Sequence, residues 1–145
     1  MDPVVRRAEA FDRDDLVRLE LLAREAALEF RGGALLVAEV PVTDWAAVLA
    51  DPRAHVLVGT LDDVVCAFLL LGLASDRSIV SHVFVEEEAR ELGLGDTLIE
   101  HAVEITRAAG LAGIEGVALP GDRATKNLFE RAGLTARKIT VYKAL

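Results

Sequence analysis

Between the apolar run "VFV" at 83–85 and a long amphipathic stretch from about residue 94, Arg90, Gly93 and Gly95 stand in the spacing R-x-x-G-x-G. A helix that opens straight out of a strand leaves its first N–H groups unpaired and carries partial positive charge at that end, which suits phosphate. A plain turn needs one glycine at most. A glycine at 93 lets successive N–H groups turn inward, and one at 95 lets a phosphate approach the backbone closely. Arg90 is placed to orient the turn or to touch the anion. Taken alone, the spacing equally describes a helix that starts after a glycine turn.

The other residues capable of chemistry carry plainer readings. His55 and His101 have no cysteine, histidine or carboxylate partner at metal spacing, so no metal site is expected. His82 reads as a partly buried packing residue. Cys66, the single cysteine, lies in "VVCAFLLLGL", has no partner for an internal disulfide and is expected buried. "EEE" at 86–88 reads as a solvated turn. Neither G-x-S-x-G nor G-K-[ST] occurs, which removes the hydrolase and NTPase signatures.

The positioning elements follow from periodicity. "VVRRAEAF" alternates as a strand. "DRDDLVRLELLAREAALEF" reads as a helix capped by Asp12 or Asp14, with Leu16, Leu19, Leu22, Ala23, Ala26 and Phe30 on its apolar stripe. "ALLVAEV" fits a short helix or an extended piece. "PVTDWAAVLADP" fits a short helix capped by Thr43, with Trp45 in the core. "HVLVGT" and "VVCAFLLLGLA" form a hairpin whose second strand is covered on both faces, and "IVSHVFV" is a further strand. A helix from Leu94 to Ala109 stops at Gly110. Then come the strand "GIEGVALP", a helix capped by Asp122 and ended by Gly133, and a closing strand "RKITVYKAL". The order β-α-α-β-β-β-α-β-α-β predicts an α+β domain: a single mixed sheet flanked by helices.

At 145 residues, 52% hydrophobic and with mean hydropathy +0.34, the chain can bury a core of its own as one domain spanning 1–145. No apolar run matches a membrane span and the start lacks a signal-peptide core, so a cytoplasmic location is expected. A formal net charge of −8 argues against nucleic-acid and anionic-membrane binding. From Gly121 onward, however, six basic residues face two acidic ones. As a group they can serve a small, strongly anionic ligand.

The segment "VFVEEEARELGLGDTLIEHAVEI" resembles the acetyl-CoA-binding motif of the GNAT superfamily of N-acetyltransferases, with Val85, Arg90, Gly93 and Gly95 on its pattern. "GIEGVALPGDRATKNLFERAGL" resembles the next block of that family, and the β-α-α-β-β-β start agrees as well. The resemblance implies a mostly antiparallel, three-layer GNAT-like acyl-CoA acyltransferase fold. It further implies that the backbone of Val83 and Val85 hydrogen-bonds the pantetheine arm. The N–H groups of Glu91, Leu92, Gly93, Leu94, Gly95 and Asp96 would cradle the pyrophosphate. The sheet is expected to splay after Val85, opposite "GVAL". Asn127 would meet the pantetheine, and Arg131 or Lys126 the adenosine 3′-phosphate.

Asp122 and Arg123 stand where the family usually has its asparagine and Glu87 where it often has proline, and two further departures bear on the chemistry. The strand position that often carries a Glu or His base holds Ser81, with His82 turned by alternation to the other face. The place of the usual tyrosine proton donor holds Phe129, and the single tyrosine, Tyr142, is far along the chain. No catalytic residue is therefore assigned. The resulting expectation is acetyl transfer from acetyl-CoA, as co-substrate, to a primary amine by direct attack. The alternative is a CoA-binding sensor or interaction module without transferase chemistry, which Ser81 and Phe129 favour; a third reading is a fold match that binds another nucleotide. A homodimer joined along "ITVYKAL" is a further expectation.

Overall fold

The computed structural model describes residues 2–145. Its frame is a five-stranded sheet in the order β1 (Pro3–Arg7), β2 (Ala54–Leu61), β3 (Val64–Leu73), β4 (Arg77–Val85) and β5 (Gly113–Gly116). All neighbours pair antiparallel except β4 and β5, which are parallel. The hairpin between β2 and β3 closes over Asp62 and Asp63, both at positive φ (49° and 67°), the two-residue turn that matches strand twist. As its continuous apolar run requires, β3 is central and buried from Val65 to Leu71.

Helices cover both faces. On one side α4 (Leu94–Ala108) lays Leu94, Leu98, Ile99 and Ala102 against Leu57, Leu69 and Leu71. Burying each such leucine or isoleucine contributes about 1.5–3 kcal/mol. On the other side α1 (Arg13–Ala27) and α3 (Trp45–Ala50) enclose a second core of Leu16, Leu19, Trp45, Val58 and Phe68, and α2 (Gly33–Glu39) packs against α1. Trp45 meets Phe68 edge-on, with ring centroids 5.6 Å apart. The last helix, α5 (Arg123–Arg131), is capped by Asp122, which accepts from Thr125 N–H. Among the described residues no helix is long and apolar enough to cross a membrane.

Three local expectations are corrected and one open alternative is resolved. The cap of α3 is Asp44, which accepts from Ala47 N–H, because the Thr43 side chain is already bonded elsewhere. Leu22 lies on the outer side of α1. Its expected inward place goes to Glu20, one turn after Leu16 and therefore on the same face. "ALLVAEV" resolves as α2. The segment "RKITVYKAL" builds no strand, and Ile139, Val141 and Tyr142 stay exposed. Alternation supplies an apolar face, but a strand forms only where a ladder partner takes it up, and the sheet ends at the four-residue β5. The expected dimer edge is thus not built as a strand.

Asp12 stands at the start of α1 but caps nothing there. Its buried carboxylate accepts from Arg6 Nη1 and Nη2 (2.7 and 2.9 Å) and from Glu9 N–H (2.7 Å). The hydrogen bonds from Arg6 hold its pKa below the usual carboxylate range. A folded pKa below the unfolded one means stability that is complete above the unfolded value, about 3.9, and lost as pH falls through the folded value. Asp12→Asn is therefore expected to lower stability at pH 7 by about 1–3 kcal/mol and to flatten its decline below about pH 4. Urea unfolding followed by Trp45 fluorescence at several pH values measures both effects.

Candidate active site

The sheet splits earlier than the sequence suggested. Pairing between β4 and β5 runs from Arg77↔Gly113 to Val80↔Gly116 and stops there, five residues before Val85. Two local causes coincide. A register shift opposite Leu70 and Leu71 leaves Ser81 as an extra residue in β4, which bends the strand. The Phe129 ring also lies against the last residue of β5: a Cβ built on Gly116 would fall 2.5 Å from Phe129 Cζ. The residue at the tyrosine position thus reaches the split but brings only carbon.

Beyond the split, β4 keeps β3 on one side only. Glu86 N–H donates to Cys66 O at 2.9 Å, and His82 and Phe84 lie opposite Leu70 and Phe68. Antiparallel pairs alternate, so the peptide groups of Val83 and Val85 point away from β3 into the opening. Arg90 Nε donates to Val85 O (3.1 Å), which fixes the turn and occupies that carbonyl. The N–H groups of both valines and the Val83 carbonyl remain available for an extended ligand.

The chain then passes a 3₁₀ turn at Glu87–Ala89 and enters α4 through Gly93, whose φ is +82°. Among the described residues, the N–H groups of residues 91–96 have no protein partner, and the first paired one is Thr97 N–H on Gly93 O (3.0 Å). Six free donors meet the positive end of a 15-residue helix. The two glycines differ in role. Around Gly93 the position of a Cβ meets nothing within 4 Å, so that face is open. At Gly95 a Cβ would come within 3.3 Å of Leu128 Cδ1 and 3.8 Å of Val85 Cγ2. Its closest approach is therefore to α5 rather than to the opening.

Charges around this turn are partly neutralised. Asp96 accepts from Arg131 Nε at 2.9 Å, which ties α5 to the first turn of α4. Lys126 pairs with Glu130 at 3.5 Å, and Asn127 is exposed with no side-chain partner among the described residues. Glu86 pairs with Arg18 of α1, so one of the three glutamates expected in solvent is a structural tie. Arg18 also donates to Val65 O (2.9 Å).

A second polar cluster lies across the split, on the α1 face. Glu20 is 1% exposed. It accepts from Thr43 N–H (3.1 Å to Oε2), Thr43 Oγ1–H (2.6 Å) and Trp45 Nε1–H (3.1 Å). His82 Nε2 lies 3.4 Å from Glu20 Oε2, and His82 Nδ1 lies 2.9 Å from Ser81 Oγ. Strand alternation would have kept Ser81 and His82 on opposite faces; the bulge brings them into contact. Burial pushes the His82 imidazole below its usual range, Glu20 opposes that shift and Arg24 adds to it. Sequence reasoning passed over Glu20 and gave Thr43 only a capping role. The available signal was a carboxylate one turn from Leu16, on the apolar stripe of α1.

The family model described as the acetyltransferase (GNAT) family matches residues 19–134. Among curated proteins none matches the sequence. Solved structures resemble the fold. The tetramutant of the BH1408 protein from Bacillus halodurans has a TM-score of 0.83 at 18% identity, covering 98% of this chain and 99% of that one. A ribosomal-protein-alanine N-acetyltransferase from Brucella melitensis biovar Abortus 2308 scores 0.70 at 15% identity, covering 99% and 100%. The aminoglycoside N-acetyltransferase AAC(6')-Iy in complex with CoA scores 0.74 at 12% identity, covering 98% and 99%. With four-fifths of its length inside the family match and the split sheet and open helix start in place, the chain belongs to the GNAT acetyltransferase family.

Proposed function

We propose that residues 1–145 form one acetyl-CoA-dependent N-acetyltransferase domain, which moves an acetyl group to a primary amine by direct attack. One observation carries this reading: the unpaired edge of β4 beyond Val80 runs directly into six free N–H groups at the start of α4. That continuous track suits a ligand with an amide-bearing arm at one end and a pyrophosphate at the other. The N–H groups of residues 91–96 hold the pyrophosphate, and the pantetheine is held by the N–H groups of Val83 and Val85 and by the Val83 C=O. The thioester then lies at the split, between Ser81 and the Phe129 ring over Gly116. Arg131, held by Asp96, stands beside the adenosine end, and Asn127 faces the arm.

The chain's contribution to rate is mainly positional. An amine fixed about 3–3.5 Å from a thioester carbonyl gains much of its reactivity from that placement. Phe129 supplies no proton, so the departing thiolate takes one from water or from the amine's own surplus. The neighbouring folds act on a ribosomal-protein alanine and on aminoglycosides, both amines, and a net charge of −8 suits a cationic acceptor.

Calorimetric titration of acetyl-CoA tests the site, on wild type and on Gly93→Glu/Gly95→Glu. Thiol release is then followed with spermidine, kanamycin and a peptide with N-terminal alanine. Binding that the double variant loses, together with amine-dependent thiol release, is the expected result. Wild type that does not bind sinks the proposal. Binding without release from any amine favours the sensor reading.

A further inference from the structure

We propose that Ser81, His82 and Glu20 form a proton relay that carries the acceptor's surplus proton away from the split; this rests on the acetyl-transfer reading above. The cluster leads from an exposed hydroxyl to a carboxylate in the core: Ser81 Oγ lies 2.9 Å from His82 Nδ1, and His82 Nε2 lies 3.4 Å from Glu20 Oε2. Ser81 is the first residue of β4 beyond its last pair with β5 and is exposed, so it stands at the split where the proposed thioester lies. The ring behind it is 18% exposed and packs on Phe68, with centroids 6.1 Å apart.

The partners set the direction of the relay. Glu20 can only accept, so the ring nitrogen facing it, Nε2, carries the hydrogen. Nδ1 is then a bare acceptor aimed at Ser81 Oγ, which donates to it across 2.9 Å. Leu70 O is a second, longer acceptor for the same hydroxyl at 3.4 Å, so its single proton lies toward His82 and the oxygen's lone pairs can take an amine N–H. The amine nitrogen attacks the thioester carbonyl, the C–N bond forms and the C–S bond breaks. As the nitrogen gives its proton to Ser81 Oγ, the serine's own proton passes to His82 Nδ1. The imidazolium so formed faces the Glu20 carboxylate, and its proton returns to solvent as the thiolate is protonated. The amine's surplus proton and the thiolate's missing one thus balance.

The bonds from Thr43 and Trp45 give Glu20 a structural role, which leaves the Ser81 hydroxyl lined up on His82 unexplained. A carboxylate at 1% exposure is costly to bury, and an apolar residue of the same size commonly packs such a site as well or better. The charged groups facing the ring are Glu20 and Arg24, both from α1. Burial and Arg24 keep the ring neutral near pH 7, the form a base must take.

Ring ¹⁵N NMR of acetyl-CoA-saturated protein tests the relay. It is combined with pH profiles of kcat/KM for thiol release with the three amines and with water. The relay requires Nε2 protonated and Nδ1 bare in wild type, and an acid limb of kcat/KM at the same pKa as the ring. Glu20→Gln removes the charge that raises that pKa, so ring titration and acid limb should move together to lower pH. His82→Ala should reduce kcat/KM about 100-fold and abolish the limb. Ser81→Ala should reduce it about 10-fold, and Ser81→Thr should restore most of that. A proton on Nδ1, a limb that does not follow the ring in Glu20→Gln, or full activity in His82→Ala overturns the relay. Binding without thiol release to any amine or to water overturns it as well. Failure of wild type to bind acetyl-CoA is a different result, which removes the transferase reading first.

Discussion

Glu20→Ala is expected to lower stability by about 3–5 kcal/mol, the largest loss from any single polar residue of this chain. Its carboxylate joins α1 to the segment before α3 and to β4 through Thr43, Trp45 and His82. Truncation leaves Thr43 N–H, Thr43 Oγ1–H and Trp45 Nε1–H without an acceptor, and each buried donor so stranded costs about 1–3 kcal/mol. Water entering the vacated space recovers part of that, which keeps the total below the sum of the three. Domains of this size have about 5–15 kcal/mol in all, so the variant should be folded but close to its threshold. Urea unfolding followed at Trp45 reads the change, and the indole's altered surroundings should shift its emission in the folded state too. Glu20→Gln keeps an acceptor oxygen and should cost clearly less. Losses below about 1 kcal/mol for the alanine variant would mean that the three donors reach water freely, contrary to the burial of Trp45 and Glu20.

The strands, the long helices and the open start of α4 are all legible in the sequence because each depends on neighbours in the chain. Periodicity locates α4, the Asp62–Asp63 turn fixes the hairpin, and R-x-x-G-x-G marks where the donors lie. The split at Val80 is not legible, since it depends on where β5 ends and on Phe129 seated over Gly116, contacts between distant segments. The same holds for Gly95, whose bareness serves Leu128, a residue 33 positions further on. The meeting of Ser81 with His82 was hidden for another reason. Strand alternation is a sound rule until a bulge inserts one residue, and nothing in "IVSHVFV" announces that insertion. Thr43 is a simple competition between partners: a good capping residue by type, it was taken by a buried carboxylate 23 residues away.

Gly93 and Gly95 should fail in different ways when changed singly, and the contrast separates backbone geometry from packing. Gly93→Glu is expected to weaken acetyl-CoA binding at least 100-fold, about 2.8 kcal/mol. The new carboxylate would project into the space that is open around Gly93, beside the free N–H groups of residues 91–96, where it opposes a second anion. The left-handed φ of +82° adds a strain of about 1–2 kcal/mol for any side chain, so Gly93→Ala should show the strain without the charge. Gly95→Ala acts elsewhere. Its Cβ meets Leu128 at 3.3 Å, so α5 must yield by a few tenths of an ångström, and Arg131 moves with it relative to Asp96. A stability loss of about 1 kcal/mol and a severalfold loss of affinity are expected there. Calorimetry and urea unfolding on the three variants distinguish the cases. Gly93→Glu binding as tightly as wild type would mean that the open face of the turn holds no anion. In that case the start of α4 would be only a helix start, and the pyrophosphate would have to lie elsewhere.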